Sequence, residues 1–262
     1  MPLTPTRVLL HPPKRYALSF DGVDDYGVVE PFTVYGWKEI TIEELIYPVW
    51  PKANTAWSKF SMIGDRWTDY PSTYLGTNGK YDYTVLSVSW FVRKPGGTIE
   101  GYSYDMINYV NQWVHVIRRF TEDREFSVWI NGEKKYSAAV PEDYATVLEW
   151  NPDTATHPEY YRRFVLGASV EFKEFMTVKY GYLRIYNRAL SDSEIQHNYL
   201  NPMSPVLDGL VLWLKMEEGS GTTVHDYSGY GNDGTIYGAS WTEITKTPVR
   251  TLSPVRVLSP VR

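Results

Sequence analysis

The stretch Asn111 to Glu133, NQWVHVIRRFTEDREFSVWINGE, limits the possible folds more than any other part of the chain. Phe126, Val128 and Ile130 fall on every second position, the period of a half-buried strand whose successive side chains point to opposite faces. Asn131-Gly132 follows at once and supplies the positive backbone angles of a tight hairpin turn, so Glu133 to Ser137 returns as the partner strand. Ahead of it, Trp113 to Phe120 reads as a further strand, joined through the charged corner Glu122-Asp123-Arg124. Three antiparallel strands in a row commit this region to a sheet.

These residues carry a resemblance. Trp113-Val114-His115-Val116, a polar turn, and then Phe126 to Glu133 are similar to the signature of laminin-G-like, concanavalin A-type jelly-roll domains. Three more stretches resemble the same family in the family's order: Tyr16 to Val29 (YALSFDGVDDYGVV), Ile40 to Pro48 (ITIEELIYP) and Gly181 to Ile195 (GYLRIYNRALSDSEI). The resemblance implies an all-β, concanavalin A-like jelly-roll β-sandwich of two antiparallel sheets. One short helix is expected within it over Asp192 to Tyr199, because Ser191-Asp192-Ser193-Glu194 is a capping box.

The order of one segment departs from the family. Asp208 to Trp241, DGLVLWLKMEEGSGTTVHDYSGYGNDGTIYGASW, resembles the segment with which such domains begin, yet here it follows the one with which they end. The domain is circularly permuted, or the segment completes the sheet of a neighbouring copy, or it is the stump of a second module; the first reading is favoured because the termini of a sandwich lie close together. The expected division is an extended arm over 1–15, one sandwich over 16–245 and a tail over 246–262. That tail repeats a unit, Pro248-Val249-Arg250, Pro254-Val255-Arg256 and Pro260-Val261-Arg262, and Pro5-Thr6-Arg7 opens a similar unit at the other end. Proline favours extended backbone and lacks one amide donor, so these arms cannot form interior strands. Pro5, Arg7, Pro248, Arg250, Pro254, Arg256, Pro260 and Arg262 are expected to dock on a neighbouring subunit.

Composition narrows the function. A net charge of −5 gives no general attraction for phosphate backbones or anionic lipid, so nucleic acid is a poor partner, and no segment is apolar enough to span a bilayer. The chain has no cysteine, as is normal for a protein folded in a reducing cytoplasm, and its first residues have no apolar run of a secretory leader. Aromatic residues make up 16% of the chain, with 22 Tyr, and tyrosine works at half-wet surfaces. These features suggest a recognition or assembly module on the surface of a particle such as a virion or an appendage, its partners being copies of itself, other subunits or cell-surface glycans.

Three chemistries have candidate residues. For metal, the Asp226 to Gly234 loop and the Asp24-Asp25 corner offer hard oxygen donors suited to calcium; related domains often bind it at this rim, which nominates Asp21, Asp24, Asp25, Asp226, Asn232 and Asp233. Glycine and aspartate are also what tight turns demand. For glycan or protein binding, the aromatic-rich stretch Val49 to Tyr109 contributes Trp57, Trp67, Tyr70, Tyr74, Tyr102 and Tyr104, because the C–H face of a pyranose stacks on such rings. For catalysis, Glu39-Ile40-Thr41-Ile42-Glu43 echoes the paired-acid strand of laminarinase-type glycoside hydrolases, but the middle acid is Thr41. No catalytic residue is therefore assigned. The five histidines have no metal-ligand spacing, and His115 reads as a core or hairpin position.

Overall fold

A computed structural model describes residues 15–53, 59–64, 71–77 and 86–244. Among the described residues, two antiparallel sheets of eight strands enclose a single interior, giving an all-β jelly-roll sandwich with one α-helix. The first sheet contains β1 (Arg15–Asp21), β3 (Ile40–Ala53), β8 (Val114–Phe120), β9 (Glu125–Ile130), β10 (Glu133–Ala139), β12 (Met176–Tyr186), β13 (Leu210–Leu214) and β16 (Ser240–Ile244). The second contains β2 (Tyr26–Val29), β4 (Lys59–Gly64), β5 (Ser72–Thr77), β6 (Leu86–Arg93), β7 (Ile99–Asp105), β11 (Phe164–Leu166), β14 (Thr223–Val224) and β15 (Gly234–Tyr237).

The β9–β10 hairpin turns where the dipeptide chemistry requires, with Asn131 at φ 51° and Gly132 at φ 79°. Asn131 Oδ1 accepts from His115 N (3.0 Å), which ties the turn back to β8. Gly132 meets a second requirement, since a Cβ there would lie 2.7 Å from the Tyr199 ring. The helix α1 (Asp192–Leu200) thus rests on the hairpin, and the Gln196 amide donates to Gly132 O. Its N-terminus is closed by the expected capping box: Ser191 N donates to Glu194 Oε2 (2.8 Å) and Glu194 N to Ser191 Oγ (3.3 Å).

Alternation sorts β3 as its sequence demands at first. Ile40 and Ile42 enter the interior, while Thr41 and Glu43 face out towards α1. Glu44 then points inward to Arg118, so two adjacent glutamates serve opposite faces of one strand. Inside, Trp90 of β6 lies parallel to Phe120 of β8 at 4.9 Å, joining the sheets face to face. The apolar-rich run Leu86 to Arg93 is β6, and the proline-bearing Pro141 to Tyr161 is a loop with two short 3-10 turns.

Over Tyr16 to Val29, β1 lies in the first sheet and β2 in the second, so the aspartate corner carries the chain across the sandwich. Asp208 to Trp241 fills its own chain's sheets. There β13 pairs with β12, β15 with β2, and β16 with β1, the last in a register that puts Arg15 opposite Ile244. The arm residues Pro5 and Arg7, and Pro248, Arg250, Pro254, Arg256, Pro260 and Arg262 of the tail, lie outside the described residues.

Candidate binding surfaces

The acidic corner brings Asp21, Asp24 and Asp25 together, one carboxylate oxygen from each lying within 4.8 Å of the others. Asp25 Oδ2 accepts from Asp21 N (2.9 Å) and Asp21 Oδ1 from Val23 N (2.7 Å), so the turn is held by the acids themselves. Burial pushes the Asp25 carboxyl up, and the charges of Asp21 and Asp24 add to this against the lowering pull of the Asp21 amide. Gly238, at φ 79°, is required beside it, because any Cβ would meet Asp25 Oδ1. Three converging hard oxygens suit a calcium ion.

Asp226 and Asp233 do not join that cluster. Asp226 Oδ1 accepts from Trp213 N and Ser228 N, each at 2.9 Å, and Oδ2 from Ser228 Oγ (2.7 Å) and Asn232 N (2.9 Å). Asp233 Oδ1 accepts from Asp226 N (2.7 Å), and the Asn232 amide donates to Val211 O (2.9 Å). These three residues fold their loop with the atoms that a metal would need, and turn chemistry accounts for the aspartates here.

Glu43 is fully buried beneath α1. Arg184 Nη1 (2.8 Å) donates to its Oε1, His115 Nε2 lies 2.9 Å from the same oxygen, and Asn198 Nδ2 donates to Oε2 (2.8 Å). Burial alone would raise this carboxyl, but Arg184, His115 and Asn198 outweigh it and hold it down at about 2. Glu39 is committed too, accepting from Glu122 N (3.1 Å) and Ala189 N (3.2 Å). A glycosidase needs two carboxylates free to reach one sugar. Here one fastens a helix and the other a pair of loops. On the inner face Arg118 Nη2 donates to Glu44 Oε2 (2.8 Å) and Ser61 Oγ (2.9 Å), all three residues being fully buried.

Among the described residues, the nominated Tyr74, Tyr102 and Tyr104 do not form a surface platform. Tyr74 is fully buried on the outer face of the second sheet, stacked on Phe91 at 5.3 Å with Lys59 over it at 4.4 Å. Tyr102 and Tyr104 are half-buried against the sandwich interior, because register sets them beside the inward-facing Trp90 and Val88. Trp57, Trp67 and Tyr70 lie outside the described residues.

A different set of rings lines the outer face of the second sheet. Tyr237 of β15 stacks on Tyr26 of β2 at 4.6 Å, and Tyr26 stacks on Phe172 at 4.4 Å. The Arg163 guanidinium covers Phe172 at 4.4 Å and Tyr160 at 5.4 Å, and Tyr160 stacks on His157 at 4.7 Å. Tyr237 is 47% exposed, and only one of its ring faces is taken by Tyr26. Phe172 is held in the left-handed region (φ 54°), uncommon for an aromatic residue and a form of strain that tends to sit at functional positions. Alternation in Tyr26-Gly27-Val28-Val29 and Thr235-Ile236-Tyr237 marks the two tyrosines as sharing a face with polar or apolar neighbours two residues away; nothing local marks Phe172, which a loop delivers.

No protein-family model and no curated protein sequence matches the chain. Among solved structures, it is similar to a candidate carbohydrate-binding protein from Bacteroides ovatus, with a TM-score of 0.57 and 17% identity over 89% of this chain. The chain spans 61% of that protein's length. The binding domain of botulinum neurotoxin serotype D superposes with a TM-score of 0.49 at 14% identity, covering 70% of this chain and 41% of that one. A heptameric SAP-like pentraxin from Limulus polyphemus gives 0.45 at 14% identity, covering 71% and 82%. The first of these likenesses establishes that the chain shares its fold with the Bacteroides ovatus protein.

Proposed function

We propose that the chain is a non-catalytic recognition module that binds glycan across the outer face of its second sheet. The observation that carries this reading is the ring array from Tyr237 through Tyr26 and Phe172 to Arg163. A pyranose presents a face of C–H groups, and the open face of Tyr237 offers it a partner already fixed by stacking, so little rotamer freedom is lost on binding. The fold shared with a candidate carbohydrate-binding protein supports the reading by analogy only. Retention on a glycan panel tests it. Tyr237→Ala should lower affinity at least tenfold with the melting temperature nearly unchanged, whereas a panel with no retained glycan, or unaltered binding by the variant, would sink it.

We also propose that the module is laminin-G-like with a permuted order, that calcium binds at Asp21, Asp24 and Asp25, and that the chain serves in a larger surface assembly such as a virion or appendage. The pairing of Asp208 to Trp241 with its own chain's strands supports the first of these over a neighbour's sheet. The assembly reading rests on the Pro-Val-Arg repeats, because several docked units share one entropic cost of bringing two subunits together. The native mass of the full chain should exceed that of a monomer and fall when 247–262 are deleted. A monomeric full chain, or an unchanged mass on deletion, overturns it.

A further inference from the structure

At the end of the sandwich where β3 begins and β8 finishes, a cleft of about 170 Å³ opens between three segments. Trp37 and Lys38 come from the loop before β3, Phe120 from the end of β8 with Glu122 and Arg124 from the corner after it, and Glu149 from the loop after β10. The cleft is braced. Arg124 sits at φ 64°, an unusual setting for a side-chain-bearing residue. From there its guanidinium reaches Glu149 Oε1 (2.5 Å), Val140 O (3.3 Å) and the Tyr144 carbonyl, so one side chain joins the strand corner to the facing loop. Glu149 is fixed further by accepting from Thr146 N (2.8 Å). On the other wall Glu39 accepts from Glu122 N, and Lys38 Nζ lies 2.5 Å from Glu122 Oε1.

We infer that this cleft binds a single neutral pyranose ring. At about 170 Å³ the cleft has room for one six-membered ring with its hydroxyls. The half-buried Trp37 supplies an apolar wall for the C–H face. Glu122 and Glu149 accept hydrogen bonds and Lys38 donates them, which matches hydroxyl groups that do both. The two cations and two anions of the lining cancel, so a charged ligand of either sign loses at one pair what it gains at the other. The exposed Lys38–Glu122 pair is of the kind that contributes little by itself, and hydroxyls can replace its water without breaking a fixed contact. None of the ring-array residues takes part, so the cleft stands independently of the glycan reading made for the outer face.

The experiment is a titration of the full chain with methyl glucoside, methyl galactoside and methyl mannoside beside choline and N-acetylneuraminate. The readout is the Trp37 indole N–H resonance, assigned by its loss in Trp37→Phe. At least one neutral pyranoside should shift it with a Kd near ~1–10 mM, and both charged probes should bind at least tenfold more weakly. Glu122→Ala, which touches only an exposed ion pair, should weaken binding at least fivefold with an unchanged melting temperature, while Tyr237→Ala leaves this site intact. No shift with any pyranoside, a charged probe that binds more tightly, or wild-type affinity in Glu122→Ala would each overturn the assignment.

Discussion

The outer faces of the two sheets are both covered, and by different means. On the first sheet α1 lays Ile195 on an apolar patch of Ile117, Trp129, Tyr186 and Trp213, and beside it Glu43, Arg184, His115 and Asn198 meet in a dry layer where each polar contact depends on the next. On the second, the loop after β11 is laid down by rings and aliphatic side chains, with Phe172 and Phe175 packed over Val28, Met62, Tyr74 and Val165. An ionic layer tolerates no missing partner, since an unpaired buried charge is costly. A stacked layer can lose a ring edge to solvent at little cost, which is why Tyr26 and Phe172 remain half-accessible while Glu43 does not. The first cover therefore fixes the fold, and the second leaves a surface that can be used.

The contrast is tested most severely inside the sandwich. Arg118→Met strands the Glu44 carboxylate and should cost about 3–5 kcal/mol, measured by denaturant unfolding, whereas Arg118→Met combined with Glu44→Leu should recover most of it. A single variant as stable as wild type would mean that the interior tolerates a lone charge. Next in size is the response of the α1 layer to acid. The folded Glu43 carboxyl is held at about 2, below its ordinary 4.5, so its contribution is fully present above about pH 4.5 and fades as pH falls towards 2. The amount is roughly 3 kcal/mol, taking ~1.4 kcal/mol per pKa unit. Stability profiles of wild type and Glu43→Gln should converge at low pH, and parallel profiles through that window would break the claim. The smallest effect belongs to the corner that links the two faces. Calcium at a few times its Kd should stabilise by about 1 kcal/mol through Asp25, raising the melting temperature in wild type and not in Asp25→Asn. Equal temperatures with chelator and with calcium would remove the metal from the account.

What could be read from the chain was local chemistry. Asn131-Gly132 and Ser191 to Glu194 prescribe backbone geometry within four residues, and both took the form expected. Alternation grouped Ile40 with Ile42, and Thr41 with Glu43, but it states only which residues share a face. Whether that face is wet is a matter of what another segment lays over it. Tyr74 was nominated for a surface and lies under a loop some hundred residues further on. Tyr102 and Tyr104 failed for the complementary reason, their register partners on β6 being the ones that point inward. The ring array needed the same long-range knowledge, since Tyr237, Tyr26 and Phe172 are drawn from distant parts of the chain.

The pairing of Arg15 with Ile244 has a mechanical consequence. The chain enters and leaves the sandwich side by side, at the same end of two hydrogen-bonded strands on one sheet. If the Pro-Thr-Arg unit at one end and the Pro-Val-Arg units at the other grip one support, the load reaches the body through β1 and β16 together and in the same direction. Neither strand is then peeled from the other, and the pull is taken as shear along the β1–β12 ladder, where several hydrogen bonds must yield at once. A body tethered at one point in this way can swing about its anchor while staying folded under tension.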